Sequence, residues 1–268
     1  MKKLAKKIIA TCLVLMLLSI SFAIIPTKVE AANNNESYTF IRGPRISKIT
    51  ATKAKELTLT IKDDTGIKNL SVKNLTSGDM IYQGNEEDMT ETIAERNCGK
   101  IADKKIKEFE VKIPATLIKK GKTIKCEFYA EDKNGASRRV VFTVKRYTDT
   151  DAKKYGKYFT TNLAPRIEKF LVENNTLKME VNDANGFKEI SVDDVYGQNG
   201  TSVKSDNETS LIKDKTEKEI KGKYKFTTNF KMNKITTQKG YAKMIIVLQD
   251  GKGLKYTEVV YIKYSSEK

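Results

Sequence analysis

Leu57, Leu59 and Ile61 alternate with Thr58, Thr60 and Lys62, the period of two that gives a strand one buried face and one wet face. The alternation stops at Asp63-Asp64-Thr65-Gly66, where Gly66 supplies the positive φ of a turn, and strand character resumes over 67–75. Gly78-Asp79 then turns into Met80-Ile81-Tyr82. Phe109, Val111 and Ile113 alternate again before a corner over 114–121, in which Leu117 is expected to turn into the core. Ile124, Cys126, Phe128 and Ala130 form one inner face, Asp132-Lys133-Asn134-Gly135 a hairpin turn, and Val140, Phe142 and Val144 the strand after it. Only 85–105 breaks the pattern. It is acidic through Glu86, Glu87, Asp88, Glu91 and Glu95, with Met89 and Ile93 at helical spacing, and reads as a long loop with one short helix.

The same programme runs twice. Leu57, Leu59, Ile61, Asp63, Gly66, Leu70 and Val72 recur 120 positions later as Leu177, Met179, Val181, Asp183, Gly186, Ile190 and Val192. Pro-Arg-Ile opens both copies, at Pro44 and Pro165, and Asp250-Gly251-Lys252-Gly253 stands where Asp132–Gly135 stood. Strands are expected over 177–181, 187–195, 224–230, 242–248 and 257–264, with a lysine-rich stretch at 203–223 in place of the acidic one. A period this long means two tandem domains, 38–147 and 163–265, joined by a polar linker at 148–162. Each copy is expected to fold as a separate unit, and Tyr155, Tyr158 and Phe159 of the linker to pack against something. Short strands with turn signals at close intervals predict an all-β fold of two sandwiches.

Four stretches carry a resemblance: Pro44-Arg45-Ile46, Asp63-x-x-Gly66, the corner from Ile113 to Gly121, and Tyr129-Ala-Glu-Asp-Lys-Asn-Gly135. Together they resemble the bacterial immunoglobulin-like domains strung along Gram-positive surface proteins, over nearly all of 38–265. The resemblance implies two tandem immunoglobulin-like β-sandwiches after an N-terminal signal peptide, used for non-enzymatic binding or adhesion. It is informative for fold and much less so for function. The chain departs from antibody domains in having no tryptophan and in placing Leu59 where a cysteine partner for Cys126 would stand.

Export is read from residues 1–31. Lys2, Lys3, Lys6 and Lys7 precede an uncharged apolar run over 8–25, and Val29-Glu30-Ala31 offers small residues to a signal peptidase. A weaker cleavage site is Ser21-Phe22-Ala23, and the competing reading is an uncleaved anchor. Cys12 lies too early in the apolar run for a lipid-attachment cysteine. Cleavage after Ala31 lowers the net charge from +16 to +12, which favours anionic surroundings such as wall polymer or acidic polysaccharide. The product is a secreted or surface-associated chain, with no stable membrane insertion once the leader is gone. The expected partner is an extracellular protein or an anionic polysaccharide. No nucleic acid is expected, because the aromatics sit mostly at strand-core positions and no recognition module is visible.

Candidate chemistry is sparse. The chain has no histidine, which removes Ser/His and Cys/His pairs and ordinary zinc sites, so no catalytic residues are assigned and no enzyme is expected. The carboxylates of 86–95 read as a solvated loop. Sandwich topology should bring Asp63, Asp64, Asp132 and Asn134 to one end of the first domain as a ligand-binding tip. By the same reasoning Asp149, Asp151, Asp183, Asn185 and Asp250 could supply oxygens to Ca²⁺ at the junction, against the plain reading of these residues as turn formers. No other cofactor is implied. Cys98 and Cys126 form either a disulfide or two separate thiols, with Cys126 at an inward-facing position that aligns with Met244.

Overall fold

The structure is a computed structural model that describes residues 28–30, 36–52, 54–195, 202–203, 222–232, 237–238 and 241–266. The leader up to residue 27 and most of the lysine-rich stretch at 203–223 lie outside the described residues.

The protein is mostly β, and among the described residues every strand pairing is antiparallel. After β1 (Lys28–Glu30), the first repeat runs β2 (Glu36–Ile41), β3 (Arg45–Thr52), β4 (Glu56–Lys62), β5 (Ile67–Asn74) and β6 (Met80–Asn85). Helix α1 (Glu86–Arg96), β7 (Gly99–Ala102), β8 (Lys105–Pro114), β9 (Thr123–Asp132) and β10 (Ser137–Arg146) complete it. Helix α2 (Asp149–Tyr155) leads to the second repeat: β11 (Phe159–Leu163), β12 (Arg166–Glu173), β13 (Thr176–Asp183) and β14 (Phe187–Asp194). It continues with β15 (Ser202–Val203), β16 (Gly222–Lys231), β17 (Thr237–Gln238), β18 (Tyr241–Asp250) and β19 (Lys255–Ser266).

The described residues form three sheets. The strands β3-β4-β8-β7 make one, and their counterparts β12-β13-β16 another. The third has the order β15-β14-β18-β19-β10-β9-β5-β6 and runs without interruption through both repeats. The repeat extends to irregularities. Bulges fall between Ile46 and Lys48 and again between Ile167 and Lys169, and between Ile67 and Asn69 and again between Phe187 and Glu189. Such bulges redirect a strand and belong to its design.

The repeats are interlocked by an exchange of their leading strands. β2 pairs not with its own repeat's last strand but with β19, from Tyr261↔Ile41 to Ser266↔Glu36. β11 reciprocates on β10, from Phe142↔Leu163 to Arg146↔Phe159. Between these two additions β10 and β19 pair directly, Ser137↔Val259 through Val140↔Tyr256. The crossing from β2 to β3 passes so close to β10 that a Cβ on Gly43 would lie 2.4 Å from the Ser137 carbonyl carbon. A glycine is required there for close approach, not for its φ. Phe40 of β2 stacks on Phe170 of β12 at 4.7 Å between ring centres, so the two repeats share one hydrophobic cluster.

Several local expectations change. The 85–105 stretch holds the one helix expected of it, followed by β7 in place of loop: Asn85 caps the helix by accepting from the Glu87 and Asp88 amides, and the Asp88 carboxylate accepts from the Asn85 amide. A capping box with three acidic residues in the first turn stabilises a helix start by about 1 kcal/mol, enough to compete with an irregular loop. Met89 is fully buried beneath it. At the corner after β8, Ala115 and Ile118 are buried and Leu117 is 39% exposed, because the 3₁₀ turn Ala115–Leu117 sets residues three apart on one face. Within β4 even Thr58 and Thr60 are buried, since β4 is a central strand flanked on that face by Lys48, Thr50, Glu110 and Lys112. The 148–162 stretch becomes α2 and β11, with Phe159 buried and Tyr155 and Tyr158 exposed.

A continuous sheet with exchanged strands ties the two repeats to one another. Calorimetry of the chain is expected to show one cooperative unfolding transition. Two resolved transitions would mean that the repeats open separately despite the β10–β19 ladder.

Candidate functional site

The aspartates of the first-repeat turns stand together. Asp63 Oδ1 accepts from the Thr65 and Gly66 amides at 2.8 and 2.7 Å. Asp132 Oδ1 accepts from the Asn134 and Ala136 amides, each at 2.8 Å. The Thr65 hydroxyl oxygen joins the turns, 2.7 Å from Asp63 Oδ1 and 2.6 Å from Asp132 Oδ2. One hydroxyl proton serves only one of these oxygens at a time. Burial, with Asp63 nearby, pushes the Asp132 carboxyl above its usual range.

The second repeat rebuilds this clasp. Asn185, the counterpart of Thr65, donates to Asp250 Oδ2 at 2.8 Å. Asp250 Oδ1 accepts from the Lys252 and Leu254 amides at 2.9 and 2.7 Å. Asp183 accepts from the Asn185 amide at 2.5 Å, and burial together with Asp250 pushes its carboxyl up to about 6. Asp63, Asp132, Asp183, Asn185 and Asp250 are thus buried and committed to holding turns. Asp64 and Asn134 are the exposed members of the four-residue tip. The end is flanked rather than free, because a Cβ on Gly135 would meet the Tyr261 hydroxyl of the second repeat at 3.3 Å.

The five-residue calcium set is not brought together. Asp149 pairs with Lys120 at 2.6 Å, and Asp151 accepts from the Thr148 hydroxyl at 2.9 Å, because 149–155 folds as a helix beside the first-repeat corner. Among the described residues no group of three or more carboxylates or thiols could hold a metal ion. Of the two readings for Cys98 and Cys126, the disulfide is absent: both are free, buried thiols. The Cys98 thiol donates to the Thr92 carbonyl at 3.6 Å, and burial pushes the Cys126 thiol up to about 12. They lie in different sheets, Cys126 on β9 and Cys98 at the entry to β7.

Two features are new relative to the sequence reading. The first is a buried ion cluster where the repeats meet. Glu258, fully buried, accepts from Arg42 through Nε and Nη2, both at 2.8 Å, and from Arg138 Nη2 at 2.6 Å. The Tyr256 hydroxyl donates to the same carboxylate, and Arg42 Nη2 also donates to the Ile167 carbonyl at 3.0 Å. Burial alone would raise the Glu258 carboxyl, but Arg138 and Arg42 outweigh it and hold it at about 2. The signal was present: Glu258 occupies the same strand phase as Tyr256, Val260 and Ile262, where a charge needs a partner.

The second is a groove of about 520 Å³ on β5, β6 and β9, lined by Asn69, Ser71, Gln83, Asn85, Asp88 and Tyr129 among others. Asn69, Ser71 and Tyr129 alternate with the buried Leu70, Val72, Phe128 and Ala130, so they belong to the outer face of the sheet. Sequence alternation marks that face, but only the strand register sets Gln83, Ser71, Tyr129 and Arg139 side by side.

The chain matches no family model, no curated protein and no solved structure.

The buried acids set opposite pH dependences. Glu258 is held at about 2 against an ordinary 4.5, so its stabilisation is present above about pH 4.5 and is lost as pH falls toward 2. Asp183 is raised to about 6 from 3.8, so its protonated form favours the folded state at acid pH and that contribution is lost as pH rises through about 6. Urea titrations are expected to show stability rising from pH 7 to 4.5 and falling below it. Asp183→Asn should flatten the rise. Glu258→Gln should flatten the fall and cost about 3–5 kcal/mol at pH 7, because it leaves two buried arginines without a counter-charge.

Proposed function

We propose that the chain is an exported, non-enzymatic binding or adhesion module, secreted or surface-held, built of two immunoglobulin-like sandwiches. Residues 1–31 are its signal peptide. The observation that carries this reading is the single sheet running through both repeats. A plate of this kind holds an exposed polar face in fixed geometry, so little ordering entropy opposes binding. The buried carboxylates are already committed to turns and to the junction between repeats, which leaves them unsuited to acid–base work.

A second reading, a basic envelope spacer held on anionic wall polymer, is favoured by the formal charge of +12 that remains once residues 1–31 are removed. Salt separates the two. Exposed charge contacts are screened within about 3 Å at 1 M salt. The purified protein bound to whole cells or matrix components is therefore expected to stay bound in about 1 M salt, where screening is that strong. Full release under those conditions would favour the spacer and overturn the binding module.

A further inference from the structure

We infer that the groove on β5, β6 and β9 is a binding site for a neutral polysaccharide, a deepening that rests on the binding-module reading. Its chemistry decides the class. One wall is the Tyr129 ring, half-buried and fixed at both ends. Its hydroxyl donates to Glu131 at 3.0 Å, and the Arg139 guanidinium lies 5.0 Å from the ring centre, itself held by Glu127 at 2.5 Å. Arg139 stands on the strand to one side of Tyr129 and the small Ser71 on the strand to the other. One ring face is therefore covered, and the other opens over Ser71 into the groove.

The floor and far wall are amide and hydroxyl groups. Asn69, Ser71 and Gln83 each offer both donors and acceptors, as the hydroxyls of a sugar require. Asn85 has its carbonyl oxygen committed to the α1 cap and so presents N–H groups only. An aromatic face beside such a set fits a pyranose ring, apolar on its C–H face and polar around its rim. The local charge is balanced, unlike that of the whole chain. Glu127 pairs with Arg139 and Glu131 with Lys68, and Asp88 accepts from the Asn85 amide, so the groove offers no unpaired cationic cluster to an anionic glycan although the chain without residues 1–31 carries +12 overall. Ligand-sized clefts run to roughly 300–1,000 Å³, and at about 520 Å³ the groove falls within that range.

Affinity electrophoresis tests this. The full chain, basic at neutral pH, is run toward the cathode through gels containing dextran, galactomannan, hydroxyethylcellulose, glycol chitin or polygalacturonate. Retardation is expected in at least one of the four neutral gels. Tyr129→Ala should weaken it about tenfold, the loss expected of an aromatic anchor, and Tyr129→Phe should keep most of it. Ser71→Tyr, which fills the floor from a half-buried position on the outer face of β5, should abolish it while leaving the melting temperature within a few degrees of wild type. No retardation in any neutral gel, retardation by polygalacturonate alone, or retardation indifferent to both Tyr129→Ala and Ser71→Tyr would overturn the assignment. A Ser71→Tyr chain that loses the gel shift but still binds cells in high salt leaves the groove assignment standing and places cell binding elsewhere. A wild-type chain that binds cells without any gel shift removes the groove and keeps the binding module.

Discussion

The fold depends on one buried carboxylate. Glu258 sits in a strand phase reserved for apolar side chains, and it is tolerable there only because Arg42 and Arg138 reach it from the first repeat. That requirement fixes geometry more than it adds stability. Arg138 and Glu258 are direct partners in the β10–β19 ladder, which has only four residue pairs. Sliding that ladder by one residue would turn Glu258 to the outer face and leave both arginines buried alone. Short ladders slip easily. A charge that is satisfied in one register only is what prevents it.

The cluster also shows how two copies of one sequence became unequal. Counting from the matching hairpin aspartates Asp132 and Asp250, Arg138 corresponds to Tyr256 and Val140 to Glu258. In the ladder Arg138 faces Glu258 and Val140 faces Tyr256, so an approximate two-fold axis passes between equivalent positions. A symmetric pair would have put two like residues across that axis. Instead one repeat contributes the acid and the other the bases, which makes the correct heterologous pairing the only one with balanced charge. The groove follows the same logic of divergence, since its far wall belongs to the acidic α1 segment, where the sequence of the second repeat is lysine-rich instead.

What the sequence disclosed was local. The period-two runs became strands, and the Asp-x-x-Gly and Asp-x-x-Gly hairpin pairs became clasped turns, because each is decided by residues within a few positions. The exchange of β2 and β11 was invisible for the opposite reason: both are short strands whose alternation suits either repeat, and only long-range packing chooses the partner. Leu117 and Ile118 illustrate a subtler limit. Both are apolar, and the difference between 39% and 0% exposure comes from whether the backbone turns with three residues per turn or stays extended. The groove was beyond reading as well, since its walls come from three strands and one helix cap brought level by register.

The strand exchange has a mechanical consequence. Glu36 and Ser266 are opposite one another, so the first residue of β2 and the last residue of β19 lie at the same end of an antiparallel ladder. Tension applied through these two points loads the β2–β19 bonds one after another, as in opening a zipper, rather than all together in shear. A ladder in that orientation yields at low force. The molecule is therefore weak along the line joining Glu36 to Ser266 and stiff across the breadth of its sheet, the mechanical character of a tile and not of a rope.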